Sequence, residues 1–212
     1  MHLTGMVESA PTTVLRCCLE TLPKEEAEEY ATLWNDASQT LQQQREQEEL
    51  PFSEAAVVKH FEAQLTRASF PFRVHYANSL PVRLANRYAH HHVGCNRGVN
   101  GIEGSLSTAA GMSVGESGKV FCVIGDLSFF YDQNALWNRN LRGNFRILLL
   151  NNGGGGIFQQ VQGMPSDALH RRLVCAEHTT HAEGICRQND VHYLSTCTTD
   201  EMKAGIDWLL NA

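Results

Sequence analysis

The spacing of apolar residues changes near residue 70. From residue 71 onward, short apolar runs alternate with stretches rich in Gly, Asn and Ser and with segments of helical spacing. This alternation is typical of α/β domains. The run FRILLL at residues 145–150 is almost entirely apolar, and such a strand needs cover on both faces, which a parallel sheet provides. The pattern therefore predicts a doubly wound parallel sheet with helices on both faces.

The individual elements follow from the same pattern. Strands are predicted at Arg73–Ala77, His92–Cys95, Val120–Ile124, Phe145–Leu150 and Val191–Leu194. Helices are predicted between them at Pro81–Ala89, Ser105–Ser113, Asn134–Leu141 and Asp167–Val174. The segment from Thr198 to Leu210 combines a capping-box pattern with an apolar stripe, which predicts one more helix. Because a β-α repeat returns to the sheet after each helix, we expect this domain to lack its last strand.

Residues 1–70 differ in composition from the rest of the chain. Gly is almost absent there, and Pro23 followed by acidic residues predicts the start of a long polar helix. The few apolar anchors of this helix are Leu15, Leu19, Leu22, Tyr30, Leu33, Trp34 and Leu41. A second helix is predicted after Ser53, with apolar residues at three- to four-residue spacing up to Leu65. We therefore expect residues 1–70 to be the helical tail of a preceding domain or a linker, and residues 71–212 to form the α/β domain.

Composition limits the class of partners. The chain has 17 Lys and Arg against 23 Asp and Glu, a net charge of -6, so it has no overall basic field that would attract nucleic acid or an anionic membrane. No signal-peptide pattern opens the chain, and no apolar run approaches the ~20 residues of a membrane span. The 7 cysteines are scattered without a C-x-x-C pair, which favours reduced thiols. We expect a cytoplasmic protein whose partners are small molecules or other proteins.

Two polar motifs follow predicted strands. Gly125-Asp126 ends the run KVFCVIG, and Asn151-Asn152 follows FRILLL and precedes four glycines. Since the carboxyl ends of neighbouring parallel strands meet at one edge of a sheet, Asp126 and Asn152 are expected side by side. Their oxygens suit Mg²⁺ or Ca²⁺, and Mg²⁺ keeps phosphate oxygens or waters as its other ligands. The alternative is that both motifs are ordinary turns, with Asp126 as a helix N-cap.

Two histidine groups are weaker candidates. The adjacent residues His90, His91 and His92 cannot all face one site on a regular element. His178 and His181 lie at nearly helical spacing, yet no third ligand stands at a matching distance. We assign neither group to a metal site.

The two polar motifs resemble the diphosphate-anchoring motif of thiamine-diphosphate-dependent enzymes. The general motif usually has Gly after Gly-Asp, where this chain has Leu127. GDLS followed by the segment YDQNAL is similar to one branch, the 2-succinyl-5-enolpyruvyl-6-hydroxy-3-cyclohexene-1-carboxylate synthases of menaquinone biosynthesis. NSLPVR at residues 78–83 and NRGVNGIEGSLSTAAG at residues 96–111 resemble the same family. The resemblance covers about Phe72 to Phe158, with weaker agreement in EHTTHAEG at residues 177–184.

The resemblance implies a metal and diphosphate site. Asp126 and Asn152 would ligate Mg²⁺ or Mn²⁺ through their side chains, and Gly154 through its carbonyl. The cation would bridge the diphosphate of thiamine diphosphate. Gly125 and Leu127 would lie against that diphosphate.

The resemblance also implies residues for the rest of the cofactor and for the substrates. Gly101 would offer its carbonyl to the aminopyrimidine amine of the cofactor. Ile102 would support the bent cofactor, a role that suits the stiff χ1 of a β-branched side chain. The residues implied on the substrate side are Asn78, Ser79, Arg83, Arg97, Ile157 and Phe158.

The implied activity is decarboxylation of 2-oxoglutarate and addition of the resulting succinyl carbanion equivalent to isochorismate. Both substrates carry carboxylates, which the guanidinium groups of Arg83 and Arg97 would bind. The activating glutamate of such enzymes comes from a pyrimidine-binding domain, here expected from a missing part or from another chain. We therefore assign no catalytic residue in this chain, and we expect it to be inactive alone and to form homo-oligomers. Two alternatives stay open: another thiamine-diphosphate carboligase or decarboxylase, and a non-catalytic Mg-diphosphate-binding or dimerisation module.

Overall fold

A computed structural model describes residues 6–21, 24–98, 100–159, 161–163 and 167–211. Backbone contacts divide the chain into two compact units, Met1–Glu49 and Leu50–Ala212.

The first unit is helical. Helix α1 spans Pro11–Thr21 and helix α2 spans Lys24–Gln47. The long polar helix is therefore α2, and two of its predicted anchors, Leu15 and Leu19, lie in α1 instead. Leu22 and Pro23 lie outside the described residues. Large apolar side chains are exposed on both helices, namely Leu15, Leu19, Tyr30, Leu33, Trp34 and Leu41.

The second unit is built on a parallel sheet. Within the described residues its strands are β1 Phe72–Tyr76, β2 Val93–Gly94, β3 Lys119–Gly125 and β4 Phe145–Leu150, in the order β2-β1-β3-β4. All three pairs of neighbours are parallel. These strands lie at or within two residues of their predicted ends.

The prediction of a strand at Val191–Leu194 is wrong. These residues have no regular secondary structure. The N–H of Val191 donates to the carbonyl of Cys186 at 2.9 Å, which ties it to the preceding helix instead of to a neighbouring strand.

Helices surround the sheet. In chain order they are α3 Glu54–Leu65, α4 Leu80–Tyr88, α5 Ser105–Gly115, α6 Asp126–Tyr131, α7 Ala168–Leu173, α8 Glu183–Gln188 and α9 Thr199–Asn211. Residues of α3, α4 and α9 share one core with the sheet, and residues of α5, α6 and α8 share another. Strand β3 shows the alternation of faces, since Phe121 and Val123 lie in the first core and Cys122 and Ile124 in the second. The predicted doubly wound α/β fold with helices on both faces is confirmed.

One helical prediction needs correction, and two short helices were not predicted. The helix expected at Asn134–Leu141 is only a short 3-10 helix, Gln133–Trp137. It stops there because the Asn138 side chain accepts the N–H of Asn140 at 2.9 Å, which forms a turn that competes with helical bonding. Helices α6 and α8 were not predicted, and each has only 6 residues.

A buried polar network ties α3 to the sheet. Glu62 is 2% exposed. Its carboxylate accepts the hydroxyl of Tyr76 at 2.5 Å and contacts Nε2 of His91 at 2.8 Å. The hydrogen bond with Glu62 raises the pKa of His91, although burial opposes this shift. The network joins α3, β1 and the turn before β2.

Among the described residues, no helix combines the length and the apolar character needed to cross a bilayer.

Candidate metal and diphosphate site

The strand order creates a crevice between β1 and β3. From β1 the chain continues to β2 on one side, and β3 and β4 then lie on the other side. In open α/β sheets, ligands bind outside the carboxyl ends of the strands at such a reversal. Asn78 follows β1 and Asp126 follows β3, so both residues lie at this edge.

Asp126 is buried at the start of α6, with 3% of its surface exposed. The N-cap of this helix is Gly125, so Asp126 is not the cap that the alternative interpretation expected. Its Oδ1 accepts the N–H of Leu127 at 2.8 Å. Its Oδ2 accepts the N–H of Gly154 at 2.9 Å and lies 3.1 Å from Nε2 of His178. The carboxylate is therefore fixed by the loop that follows β4.

Asn152 approaches the same point from β4. Its Oδ1 accepts the N–H of Gly154 at 3.1 Å, so one backbone N–H is shared by the oxygens of Asn152 and Asp126. The structure thus brings the two polar motifs together.

The glycine loop has a shape that other residues do not fit. Gly153 has a φ of +77° and Gly154 a φ of +154°. A Cβ added at Gly154 would lie 2.7 Å from the carbonyl oxygen of Cys175. Gly155 also donates its N–H to that carbonyl, at 2.6 Å. The backbone of this loop therefore packs directly on the segment that begins at Cys175.

His178 fastens the loop to Asp126. Its backbone N–H donates to the carbonyl of Gly153 at 2.9 Å, and its Nδ1 accepts the N–H of Thr180 at 3.0 Å. Since Nδ1 is an acceptor, the neutral ring carries its proton on Nε2 and donates it to Asp126. The ring also packs edge-to-face on Phe130, with 5.3 Å between centroids. Sequence reasoning gave His178 no role, and the only signal was the weak family agreement of the segment around it.

Glu54 reaches the site from the other side of the sheet. Both of its carboxylate oxygens lie 3.2 Å from Nδ2 of Asn152. Burial raises the pKa of Glu54, the hydrogen bond from Asn152 lowers it, and the charge of Asp126 raises it further. The sequence predicted a helix after Ser53 and gave Glu54 no role, so its place at the site was missed.

The donor set fits a cation that takes most of its ligands from elsewhere. Within the described residues, no group of three or more His, Cys, Asp and Glu side chains could enclose a metal. One carboxylate and one amide oxygen instead suit Mg²⁺, which usually retains phosphate oxygens or waters. The carbonyl of Gly154 accepts the N–H of Gly156 at 3.0 Å and has a second lone pair.

Gly125 and Leu127, which the resemblance assigns to the diphosphate, lie next to Asp126 in the chain. A Cβ added at Gly125 would meet no atom within 4 Å, so there is open space at the end of β3. Leu127 is half-buried, and its N–H is bonded to Asp126.

The two other family motifs meet at the end of β1. The side chain of Asn78 donates to the carbonyl of Gly101 at 2.7 Å and accepts from Arg97 at 2.7 Å. The hydroxyl of Ser128 donates to the carbonyl of Ile102. The Gly101 carbonyl, which the resemblance assigns to the amine of the cofactor, is therefore bonded to Asn78 in this structure.

Ser79 has a backbone conformation that is rare outside glycine. Its φ is +77° and its ψ is -131°. Such strain concentrates at functional positions. The exposed side chain of Arg83 folds back and donates to the carbonyl of Ser79 at 2.7 Å.

Ile157 and Phe158 belong to the glycine loop instead. They lie in the 3-10 helix Gly156–Gln159, and Phe158 packs on Gly155. Phe158 is 40% exposed. Phe158 thus lies with the loop that carries Gly154, whereas Asn78 and Arg97 are connected to Gly101.

Asp132, in the segment YDQNAL, holds the start of α5. Its two carboxylate oxygens accept the N–H of Ser107 at 2.7 Å and the hydroxyl of Ser107 at 2.5 Å. This contact fixes the helix that follows the NRGVNGIEG motif relative to α6.

Two solved structures share the fold of this chain. A benzoylformate decarboxylase from Polynucleobacter necessarius matches with a TM-score of 0.56 and 16% identity, over 76% of this chain and 31% of that chain. A putative thiamin diphosphate-dependent enzyme from Mycobacterium smegmatis matches with a TM-score of 0.56 and 18% identity, over 76% of this chain and 30% of that chain. At these identities the likeness shows the fold alone. The fold class is the thiamine-diphosphate-binding fold.

Sequence relatives identify the branch. The chain is 41% identical over 181 residues to the 2-succinyl-5-enolpyruvyl-6-hydroxy-3-cyclohexene-1-carboxylate synthase of Phocaeicola vulgatus, covering 84% of this chain and 31% of the relative. It is 39% identical over 194 residues to the synthase of the same name from Bacteroides thetaiotaomicron, covering 90% of this chain and 34% of the relative. No protein-family model matches the chain. The chain belongs to this synthase family and spans about a third of the length of these relatives.

Proposed function

We propose that the chain binds the diphosphate of thiamine diphosphate through Mg²⁺ or Mn²⁺, held by Asp126, Asn152 and the carbonyl of Gly154. The observation that carries this proposal is the convergence of Asp126 Oδ2 and Asn152 Oδ1 on the Gly154 N–H, at 2.9 and 3.1 Å. Both are hard oxygen donors of the kind that Mg²⁺ takes together with phosphates. Membership of the synthase family supports thiamine diphosphate as the cofactor.

The neighbouring residues have distinct proposed tasks. Gly125 and Leu127 border the diphosphate, since the space beside Gly125 is open. Gly101 and Ile102 support the pyrimidine side of the cofactor. The bond from Ser128 to the Ile102 carbonyl supports this role, because it ties their loop to the helix that begins at Asp126.

The proposed substrate side consists of Asn78, Ser79, Arg83 and Arg97, with Ile157 and Phe158 as an apolar wall. Arg97 is oriented by its bond to Asn78, and Arg83 by its bond to Ser79. A guanidinium group binds a carboxylate through two parallel hydrogen bonds. These two residues are therefore suited to substrates that carry carboxylates.

For the whole protein we propose the reaction that the family resemblance implies. It would decarboxylate 2-oxoglutarate and add the succinyl carbanion equivalent to isochorismate, in menaquinone biosynthesis. Bound thiamine diphosphate would supply the stabilisation of the carbanion, and this chain would orient its diphosphate end. We place the activating glutamate in a pyrimidine-binding domain from another part of the protein or another subunit, so the isolated chain should be inactive.

We also propose that the protein is a cytoplasmic homo-oligomer. All 7 cysteines are free, which suits a reducing compartment. Exposed apolar side chains on α2, including Tyr30, Leu33 and Trp34, favour association with another surface.

Calorimetric titration tests the proposed cofactor site. Thiamine diphosphate is titrated into the purified chain with Mg²⁺, and again with EDTA. We expect binding that requires the metal and that falls at least ~100-fold in Asp126→Asn, because even an outer-shell partner typically contributes 10–100-fold to metal affinity. The control variant Glu103→Gln removes an exposed carboxylate and should bind normally. Metal-independent binding, or equal binding by Asp126→Asn, would refute the proposal.

A further inference from the structure

Glu54 lies against the amide end of Asn152, although the two residues are 98 positions apart. Both carboxylate oxygens of Glu54 lie 3.2 Å from Nδ2 of Asn152. On the opposite side of this amide, Oδ1 accepts the N–H of Gly154 at 3.1 Å. Each end of the Asn152 side chain thus has a partner of the matching kind.

Helix α3 holds Glu54 in place. Ser53 caps the helix by accepting the N–H of Ala56 at 3.3 Å, and the hydroxyl of Ser53 also donates to the carbonyl of Pro51 at 2.9 Å. At its other end the helix is anchored in the core by Leu65, which is 1% exposed. Glu54 is therefore presented by a rigid element, as a group that orients another side chain must be.

The orientation of an asparagine amide decides whether it can bind a cation. Its oxygen is an acceptor, whereas its NH₂ group carries two donor hydrogens that repel a cation. Rotation of the amide by half a turn exchanges the two ends. An ionised glutamate only accepts hydrogen bonds, so it stabilises the rotamer in which Nδ2 faces α3.

We infer that Glu54 is a positioning residue that holds Asn152 with its oxygen toward the cation. This inference rests on the proposed function, because it assigns a task to the metal ligand Asn152. Outer-shell partners of this kind typically contribute 10–100-fold to metal affinity.

A competing explanation is that Glu54 acts only through its negative charge. Removal of a carboxylate weakens cation binding in either case, so Glu54→Gln alone does not separate the two. The substitution Asn152→Asp does separate them, because aspartate has two equivalent oxygens and needs no choice of amide rotamer. In the Asn152→Asp background, Glu54→Gln therefore removes only a negative charge, because no amide orientation is left for Glu54 to fix.

The experiment is a double-mutant cycle with Mn²⁺ as the probe. Free Mn²⁺ is measured by electron paramagnetic resonance while Mn²⁺ is titrated into the full chain with fixed thiamine diphosphate. Four proteins form the cycle: the wild type, Glu54→Gln, Asn152→Asp and the double variant. The variant Asp126→Asn is measured beside them as a test of the metal site itself. We expect Glu54→Gln to weaken Mn²⁺ binding about 10-fold in the wild-type background and clearly less in the Asn152→Asp background, where only the loss of its charge remains.

The outcomes distinguish the inference from the proposed function. If Glu54→Gln weakens binding equally in both backgrounds, or has no effect on the wild type, the positioning role is overturned and the metal site stands. If the wild type binds no Mn²⁺, or binds it as well when Asp126 is replaced by Asn, both are overturned. Circular dichroism of each variant, together with the exposed control Glu103→Gln, excludes a loss caused by unfolding.

Discussion

Replacement of His178 by Phe would remove the side-chain contact that fixes Asp126. The bonds lost are the donation from Nε2 to Asp126 and the acceptance of the Thr180 N–H. A phenyl ring retains the edge-to-face contact with Phe130, whose centroid lies 5.3 Å away. The substitution therefore isolates the polar contacts of this residue.

The expected magnitude follows from the burial of Asp126. A hydrogen bond to a charged group contributes about 1.5–3 kcal/mol to stability, and its loss is more costly when the charged group is buried. Asp126 keeps its bonds from Leu127 and Gly154, so we expect the lower part of this range, about 1.5–2 kcal/mol. At about 2–4 °C per kcal/mol for a chain of this size, the midpoint of thermal unfolding should fall by about 3–8 °C.

The effect of ligand on stability gives a second test of this prediction. If His178 positions Asp126 for a cation, His178→Phe should also weaken binding of Mg²⁺ with thiamine diphosphate by about 10-fold. A ligand that binds the folded state tenfold more weakly stabilises it by about 1.4 kcal/mol less at saturation. The stability deficit of the variant should therefore grow when saturating ligand is added.

The assay is urea denaturation of wild type and variant, with and without ligand. His181→Phe is the matched control, because His181 is exposed and lies three positions away; it should change stability by less than about 0.5 kcal/mol. A deficit that shrinks with ligand would mean that His178 competes with the cation, and the positioning role would be wrong. If His178→Phe is as stable as the wild type without ligand, the loss of about 1.5–2 kcal/mol expected from the burial of Asp126 would be wrong.

Three further predictions follow from the same structure. Gly154→Ala should lower stability and weaken cofactor binding, since the new Cβ would lie 2.7 Å from the carbonyl oxygen of Cys175. The control is Gly184→Ala, whose new Cβ would have no atom within 4 Å. If both variants behave equally in denaturation and calorimetry, the steric argument is wrong. Glu62 raises the pKa of His91, so this pair stabilises the fold fully below the unfolded pKa of about 6.5 and less as pH rises through the folded pKa. The stability difference between wild type and His91→Gln should shrink over that range in denaturation at graded pH, and a constant difference would count against it. Finally, addition of a pyrimidine-binding domain from a relative should restore consumption of 2-oxoglutarate, whereas no turnover with a folded complex would favour a binding module.

The sequence predicted the sheet because its strands carry strong local signals. The apolar runs of β3 and β4 predicted both the parallel sheet and the place where Asp126 and Asn152 meet. The failed strand at Val191–Leu194 is short and contains a polar histidine, so its pattern was ambiguous. Helix α6 was missed because its 6 residues are too few to show a helical period.

The supporting residues of the site could not be predicted in this way. His178 contacts Asp126 across 52 positions, and Glu54 contacts Asn152 across 98 positions. Neither contact has a local pattern, since each depends on how the helices pack on the completed sheet. The motifs therefore marked the atoms proposed to ligate the cation, and only the fold shows which side chains contact those residues.

Asp126 and Asn152, the two side chains proposed as ligands, are contacted from opposite faces of the sheet, and this connects the core to the candidate site. Glu54 belongs to α3, which is held over β3 by the edge-to-face contact of Phe61 with Phe121, 5.4 Å between centroids. His178 precedes α8, whose residue Cys186 lies in the other core. A change in packing on one face should therefore disturb one ligand more than the other. Asp126 and Asn152 both accept the N–H of Gly154, so a shift of either side chain would change the distance between the two oxygens proposed to bind the cation.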